Sequence, residues 1–174
     1  MEKKNKNSKG KVLALDVGIK KIGYAISDIN RMLATPKGFI KKENRKNKEV
    51  FEDILKIIKS NNIKELIVGL PSHKDGNLTK VAFIILKFIK KLYLYLKYKN
   101  INVPIYFVDE NFTTQKALEI KKQNKSKNIE DAIAAAIFLQ DYLDNFSKPI
   151  LAEKLFDKYL PKDYGEKEVE KLLN

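Results

Sequence analysis

The chain of 174 residues has no cysteine, a single histidine and arginine only at Arg31 and Arg45. Each scarcity removes a class of chemistry. Without cysteine there is no disulfide framework, no thiolate metal site and no thiol nucleophile. One histidine excludes metal sites built on two or three imidazoles, and a Ser-His-Asp mechanism would rest wholly on His73. Long uncharged apolar runs are also missing. The most apolar stretch, Val81 to Tyr98, is interrupted by Lys87, Lys90, Lys91 and Lys97, so no membrane span is expected. The opening MEKKNKNSKG has neither the apolar centre of a signal peptide nor the arginine-rich pattern of a transit peptide, and a cytoplasmic location is expected.

What is present is enough for a folded domain. Apolar residues make up 44% of the chain and aromatics 10%, which can fill a core, and the length suits one domain. Lys+Arg number 35 against 22 Asp+Glu, a formal charge of +13. Such an excess favours a polyanionic partner, nucleic acid before an anionic membrane. A lysine-, asparagine- and isoleucine-rich composition from an A/T-rich genome would give the same excess, so charge alone says nothing about chemistry.

The hydrophobic pattern predicts the order β-β-β-α-β-α-β-α-α. Residues 1–10 read as a flexible basic arm. Lys11–Val17 and Lys21–Ser27 read as strands joined by a short hairpin, and Leu33–Ile40 as a third strand that Pro36 assigns to an edge. A helix over 47–61, a strand over 65–70, a polar turn over 72–78 and a long helix over 79–99 follow. Then come a strand over 103–109, a helix over 113–123, a lysine-rich loop and an alanine-rich helix over 129–143. The expected fold is α/β: a mixed five-stranded sheet, an antiparallel three-strand meander plus two parallel strands, flanked by helices. Residues 11–144 would form the domain, and 145–174 a C-terminal helical appendage.

Acidic residues fall at telling places. Asp16 ends the first strand, Asp109 and Glu110 end the last, and Asp131 lies in the first turn of the alanine-rich helix. Functional groups in such sheets gather beyond the carboxyl ends of strands. Carboxylates meeting there repel unless a cation neutralises them, and oxygen ligands without sulfur or imidazole suit Mg²⁺ or Mn²⁺. Each acid also has a plainer role. Asp16 before Val17-Gly18 could form a turn, and spacing alone favours a helix-dipole or lysine-pairing role for Asp131. Gly18 suits either close backbone approach or a positive φ. His73, Asp75 and Gly76 fit a solvated turn. The aromatics Phe83, Phe88, Tyr93, Tyr95 and Tyr98 fit core packing better than base stacking, with a dimer contact as a further use.

Four blocks in order carry a family resemblance: LALDVGIKKIGYAISD (13–28), IVGLPSHKDG (67–76), VDENFTT (108–114) and IEDAIAAAIFLQDYLD (129–144). Together, from Lys11 to Leu143, they resemble the YqgF family, also called RuvX, of pre-16S rRNA nucleases and Holliday junction resolvases. The resemblance implies an RNase H-like fold and a divalent-metal-dependent endonuclease. Its catalytic and metal-binding residues would be Asp16, Glu110 and Asp131, with Asp109 adjacent. Because successive strand residues face opposite ways, Asp109 and Glu110 should not be equivalent. The substrate implied is the 16S rRNA precursor, with branched DNA as the alternative, cut by a monomer or homodimer. Gly18, Lys20, Lys21, Thr114 and Lys116 are candidate substrate contacts, and Lys122, Lys125 and Lys127 could hold phosphates. The sequence departs from the family at Ile19, His73, Asn111 and Glu130. Asn111 replaces the usual arginine, so a planar phosphate fork is missing, which motivates a non-catalytic nucleic-acid-binding or ribosome-associated alternative. Retention of all three acids argues against it.

Overall fold

The structure, a computed structural model, describes residues 10–73, 75–110 and 130–174. The helix expected over 113–123 and the candidate contacts Thr114, Lys116, Lys122, Lys125 and Lys127 lie outside the described residues, as do Asn111 and the arm over 1–9.

The meander forms as the hairpin spacing predicts. Strands β1 (Lys11–Val17), β2 (Lys21–Ser27) and β3 (Ala34–Lys41) pair antiparallel in succession. Helix α1 (Asn47–Ser60) then crosses to β4 (Ile63–Leu70), and α2 (Lys80–Tyr98) to β5 (Ile105–Asp109). These crossovers make β4 parallel to β1, and β5 parallel to β4. Helix α3 (Glu130–Leu143) follows, then β6 (Ile150–Leu151), α4 (Ala152–Tyr159) and α5 (Glu166–Leu173). The strand order is β3-β2-β1-β4-β5-β6, which puts β3 at an edge as Pro36 requires. Among the described residues the sheet has six strands rather than five. The additional one is only two residues long, directly after Pro149, and carries no alternation from which a strand could be read.

The period-two alternation of β1 divides the core. Leu13, Leu15 and Val17 face α1, α2, α4 and α5, among Phe51, Ile54, Leu86, Leu92, Phe107 and Phe156. Val12 and Ala14 face the other way, with Ala25, Ile67 and Val108, onto Ala135, Ala136, Phe138 and Leu139 of α3. Helix α2 starts where Thr79 Oγ1 accepts a hydrogen bond from Ala82 N at 3.0 Å, a side-chain cap worth about 1 kcal/mol. Its aromatics are mostly core residues. Phe51 packs against Phe88 and Tyr95, and Tyr93 packs against Phe156 of α4.

Candidate active site

Alternation decides which acids can meet. Asp16 is in phase with Val12 and Ala14 and therefore lies on the α3 face of β1. Glu110 is in phase with Val108, which also packs on that face, whereas Asp109 is in phase with Phe107 on the opposite one. The Glu110 amide donates to Leu70 O at 3.4 Å, continuing the β4–β5 ladder one residue beyond the strand. Glu110 is thus carried to the carboxyl ends of β1 and β4 on the same side as Asp16, and Asp109 is exposed. The structure separates the two neighbouring acids on physical grounds that the sequence alone did not supply.

The third acid arrives by close helix–sheet contact. Asp16 is in register with Gly23 of β2. The first turn of α3 rests on that glycine. A Cβ at position 23 would stand 2.5 Å from Asp131 Cβ and closer still to the Asp131 carbonyl. Gly69 plays the same part further along the helix, where a Cβ would come within 2.7 Å of the Phe138 ring. The alanines of α3 and the bare backbone of β2 together let the helix sit low enough for Asp131 to flank Asp16. The sequence reading had the alanines but missed Gly23. Its signal was a glycine inside an alternating strand, which often marks a close backbone approach.

The electrostatics follow from this crowding. Asp16 is pushed up to about 8, first by burial, then by a side-chain hydrogen bond with Glu110, then by the charges of Glu110 and Asp131. Asp16 therefore keeps its proton near neutral pH. Asp131 is partly relieved by Lys21, whose Nζ lies 3.2 Å from its Oδ2. The lysine-pairing role that spacing favoured for Asp131 is thus present, alongside its proximity to Asp16. Among the described residues, no three acids stand ready-made in a metal-ligand cluster.

The hairpin between β1 and β2 frames the acids. Gly18 N donates to Lys21 O at 2.9 Å, and a Cβ at Gly18 would lie 2.7 Å from that carbonyl oxygen. Gly18 does not take a positive φ, so its glycine serves close approach within the hairpin. Lys20 and Ile19 are exposed at the tip. The Lys20 carbonyl accepts from the amides of Lys42 and Glu43, and Lys42 Nζ donates to Gly18 O at 2.9 Å. Burial lowers the Lys42 ammonium from its usual range. Beyond β4, His73 is exposed in a turn where Asp75 Oδ1 accepts from Asn77 N at 3.0 Å and Gly76 has a φ of 82°. That segment is built as a turn.

A family model described as "RuvX: Holliday junction resolvase" matches residues 10–145. A protein of Roseiflexus sp. named "Putative pre-16S rRNA nuclease" is 38% identical over 142 residues, covering 78% of this chain and 95% of its own. A protein of the same name from Malacoplasma penetrans is 37% identical, covering 79% and 96%. Among solved structures, Thermus thermophilus RuvC in complex with a Holliday junction substrate superposes with a TM-score of 0.52 at 15% identity, over 81% of this chain and 99% of that one. That last likeness is one of fold alone: the mixed sheet with its flanking helices is shared with RuvC. The chain belongs to the RuvX family of nucleases.

Proposed function

We propose that the protein is a divalent-metal-dependent endonuclease that processes the 16S rRNA precursor, with Asp16, Glu110 and Asp131 as its catalytic carboxylates. The observation that carries this reading is the half-buried Asp16 carboxyl, hydrogen-bonded to Glu110 and held within the field of Asp131. A cluster of acids facing a polyanion is repulsive on its own and makes sense as the seat of a cation.

The donor set fits Mg²⁺ or Mn²⁺. It is all oxygen, and burial, with the hydrogen bond and charge of Glu110 and the charge of Asp131, holds on Asp16 a proton that a hard cation would displace. When bound, such an ion supplies an activated water and neutralises charge on the phosphate. The chain's own residues do the rest. Asp16 and Glu110 present carboxylate oxygens from the ends of two strands, fixed by the ladder. Asp131 adds a third from α3, at a height set by Gly23. Lys21 pairs with Asp131 and, with an ion held by the acids, would be available to a phosphate oxygen. Gly18 and Lys20 at the hairpin tip line the approach.

The name of the relatives favours precursor rRNA, and the family description favours branched DNA. One experiment tests both. The purified protein is incubated with a 16S rRNA precursor fragment and with a four-way DNA junction, in Mg²⁺, Mn²⁺ or EDTA, beside Asp16→Asn. Metal-dependent cleavage of the RNA, lost in Asp16→Asn, is the expected result. Equal cleavage by both proteins would sink the proposed site, and cutting only of the junction would reassign the substrate.

A further inference from the structure

Phe39 lies on the edge strand β3 and is 46% exposed. It is in register with Gly23, which is in register with Asp16. The three residues form one row across β3, β2 and β1. With neighbouring strands about 4.8 Å apart, the Phe39 backbone is roughly 10 Å from that of Asp16. The row belongs to the α3 face, where the apolar residues of β1 and β2 are small or covered. Ala14 and Ala25 are buried under the helix, and Gly23 lies under Asp131. Phe39 is therefore a large ring left open on the face that carries the acids.

Its neighbours are cationic. Lys21 Nζ lies over one face of the Phe39 ring, 5.3 Å from its centroid, and 3.2 Å from Asp131 Oδ2, so one ammonium joins the ring to a candidate catalytic acid. Lys41, two residues along β3, is exposed and in register with Lys21. A lone exposed phenylalanine is ordinary on a protein surface. A ring flanked by two lysines, one row from a set of carboxylates, is a different arrangement. A ring takes the face of any base, and ammonium groups take the phosphates on either side.

We propose that Phe39, with Lys21 and Lys41, forms a stacking subsite for one unstacked nucleotide of a single-stranded segment beside the acids. The location of the reacting phosphate rests on the nuclease reading; the stacking itself does not. A base paired inside a duplex has both faces covered by its neighbours and cannot lie on the ring. The substrate class is thus nucleic acid that is single-stranded, or splayed open, at this position.

The test reads binding apart from cleavage. The chain contains no tryptophan, so Phe39→Trp in the full-length protein is a single fluorescent reporter. In EDTA it is titrated with a single-stranded oligouridylate and with a duplex at equal phosphate concentration. Saturable quenching by the single strand, with little by the duplex, is expected. Phe39→Ala and Phe39→Leu should both weaken single-strand binding by about 5- to 100-fold, the loss usual for one stacked base. Leucine keeps apolar bulk without a ring face, so it separates stacking from simple packing, and circular dichroism checks that the variants fold. Wild-type affinity in both variants, or emission unchanged at saturation, would overturn the subsite. Absence of cleavage with either nucleic acid would count against the nuclease reading and leave this binding result standing.

Discussion

On one side of the sheet α1, α2, α4 and α5 enclose large residues such as Leu13, Leu15, Phe51, Leu92 and Phe107. On the other, α3 lies on Val12, Ala14, Ala25 and Gly23. The first side is thick and apolar. The second is thin, and charge enters at its end. The difference separates two jobs that one core would otherwise share. Bulk on the thick side supplies stability. Smallness on the thin side sets a distance, because the height of α3 above β2 fixes where Asp131 stands relative to Asp16.

The comparison is broken most severely at the acids themselves. Asp16→Asn should reduce cleavage to the level seen in EDTA. It should also change the pH dependence of stability in the metal-free protein. Asp16 holds its proton up to about 8 in the folded state, while the unfolded chain releases it near 3.8. The fold therefore binds this proton more tightly, and stability declines as pH rises from about 4 to about 8. Thermal melts in EDTA across that range should show the decline in the wild type and a shallower one in Asp16→Asn. At pH 8 the variant should melt higher, by about 2–4 °C per kcal/mol relieved.

Next comes a cut into the thick side. Leu92→Ala should cost about 2–5 kcal/mol in urea denaturation, since a fully buried side chain leaves a cavity. Cleavage per folded molecule should be unchanged. The thin side should behave the opposite way. Gly23→Ala should cost about 1–3 kcal/mol, the range for overpacking, yet lower cleavage far more than Leu92→Ala does, because the new methyl group lifts Asp131. Equal activity loss in the two variants would erase the distinction between the sides. The smallest effect belongs to Lys21→Gln. Its ion pair with Asp131 is more than a third exposed on both partners, so stability should change by less than about 1 kcal/mol.

Much of this was legible in the sequence. The acids Asp16, Glu110 and Asp131 fell at the ends of strands and the start of a helix, and Pro36 placed β3 at an edge. What could not be read depended on register and on which face a helix covers. Glu110 and Asp109 are chemically alike neighbours. Only the packing of Val108 under α3 and of Phe107 under α4 tells them apart. The part played by Gly23 was not legible, because its contact is with a residue more than a hundred positions away. Phe39 was hidden for a local reason. The register of β3 shifts between the partners of Tyr24 and Ala25, so simple alternation from Ala34 does not hold along the strand.

The two arginines bear on how any polyanion would be held. Arg31 donates to Gly10 O and to Glu65, and Arg45 to Lys41 O, Glu49 and Asp53. Both guanidinium forks are thus engaged by this chain's own carbonyls and carboxylates. Every other fixed positive side chain is an ammonium, a point charge without a planar grip. Grip on phosphates would then come mainly from release of condensed counterions, would weaken steeply with salt, and would carry little information about shape. Discrimination between one nucleic acid and another must reside in the few groups with a fixed geometry: the carboxylates at the strand ends and the open ring on β3.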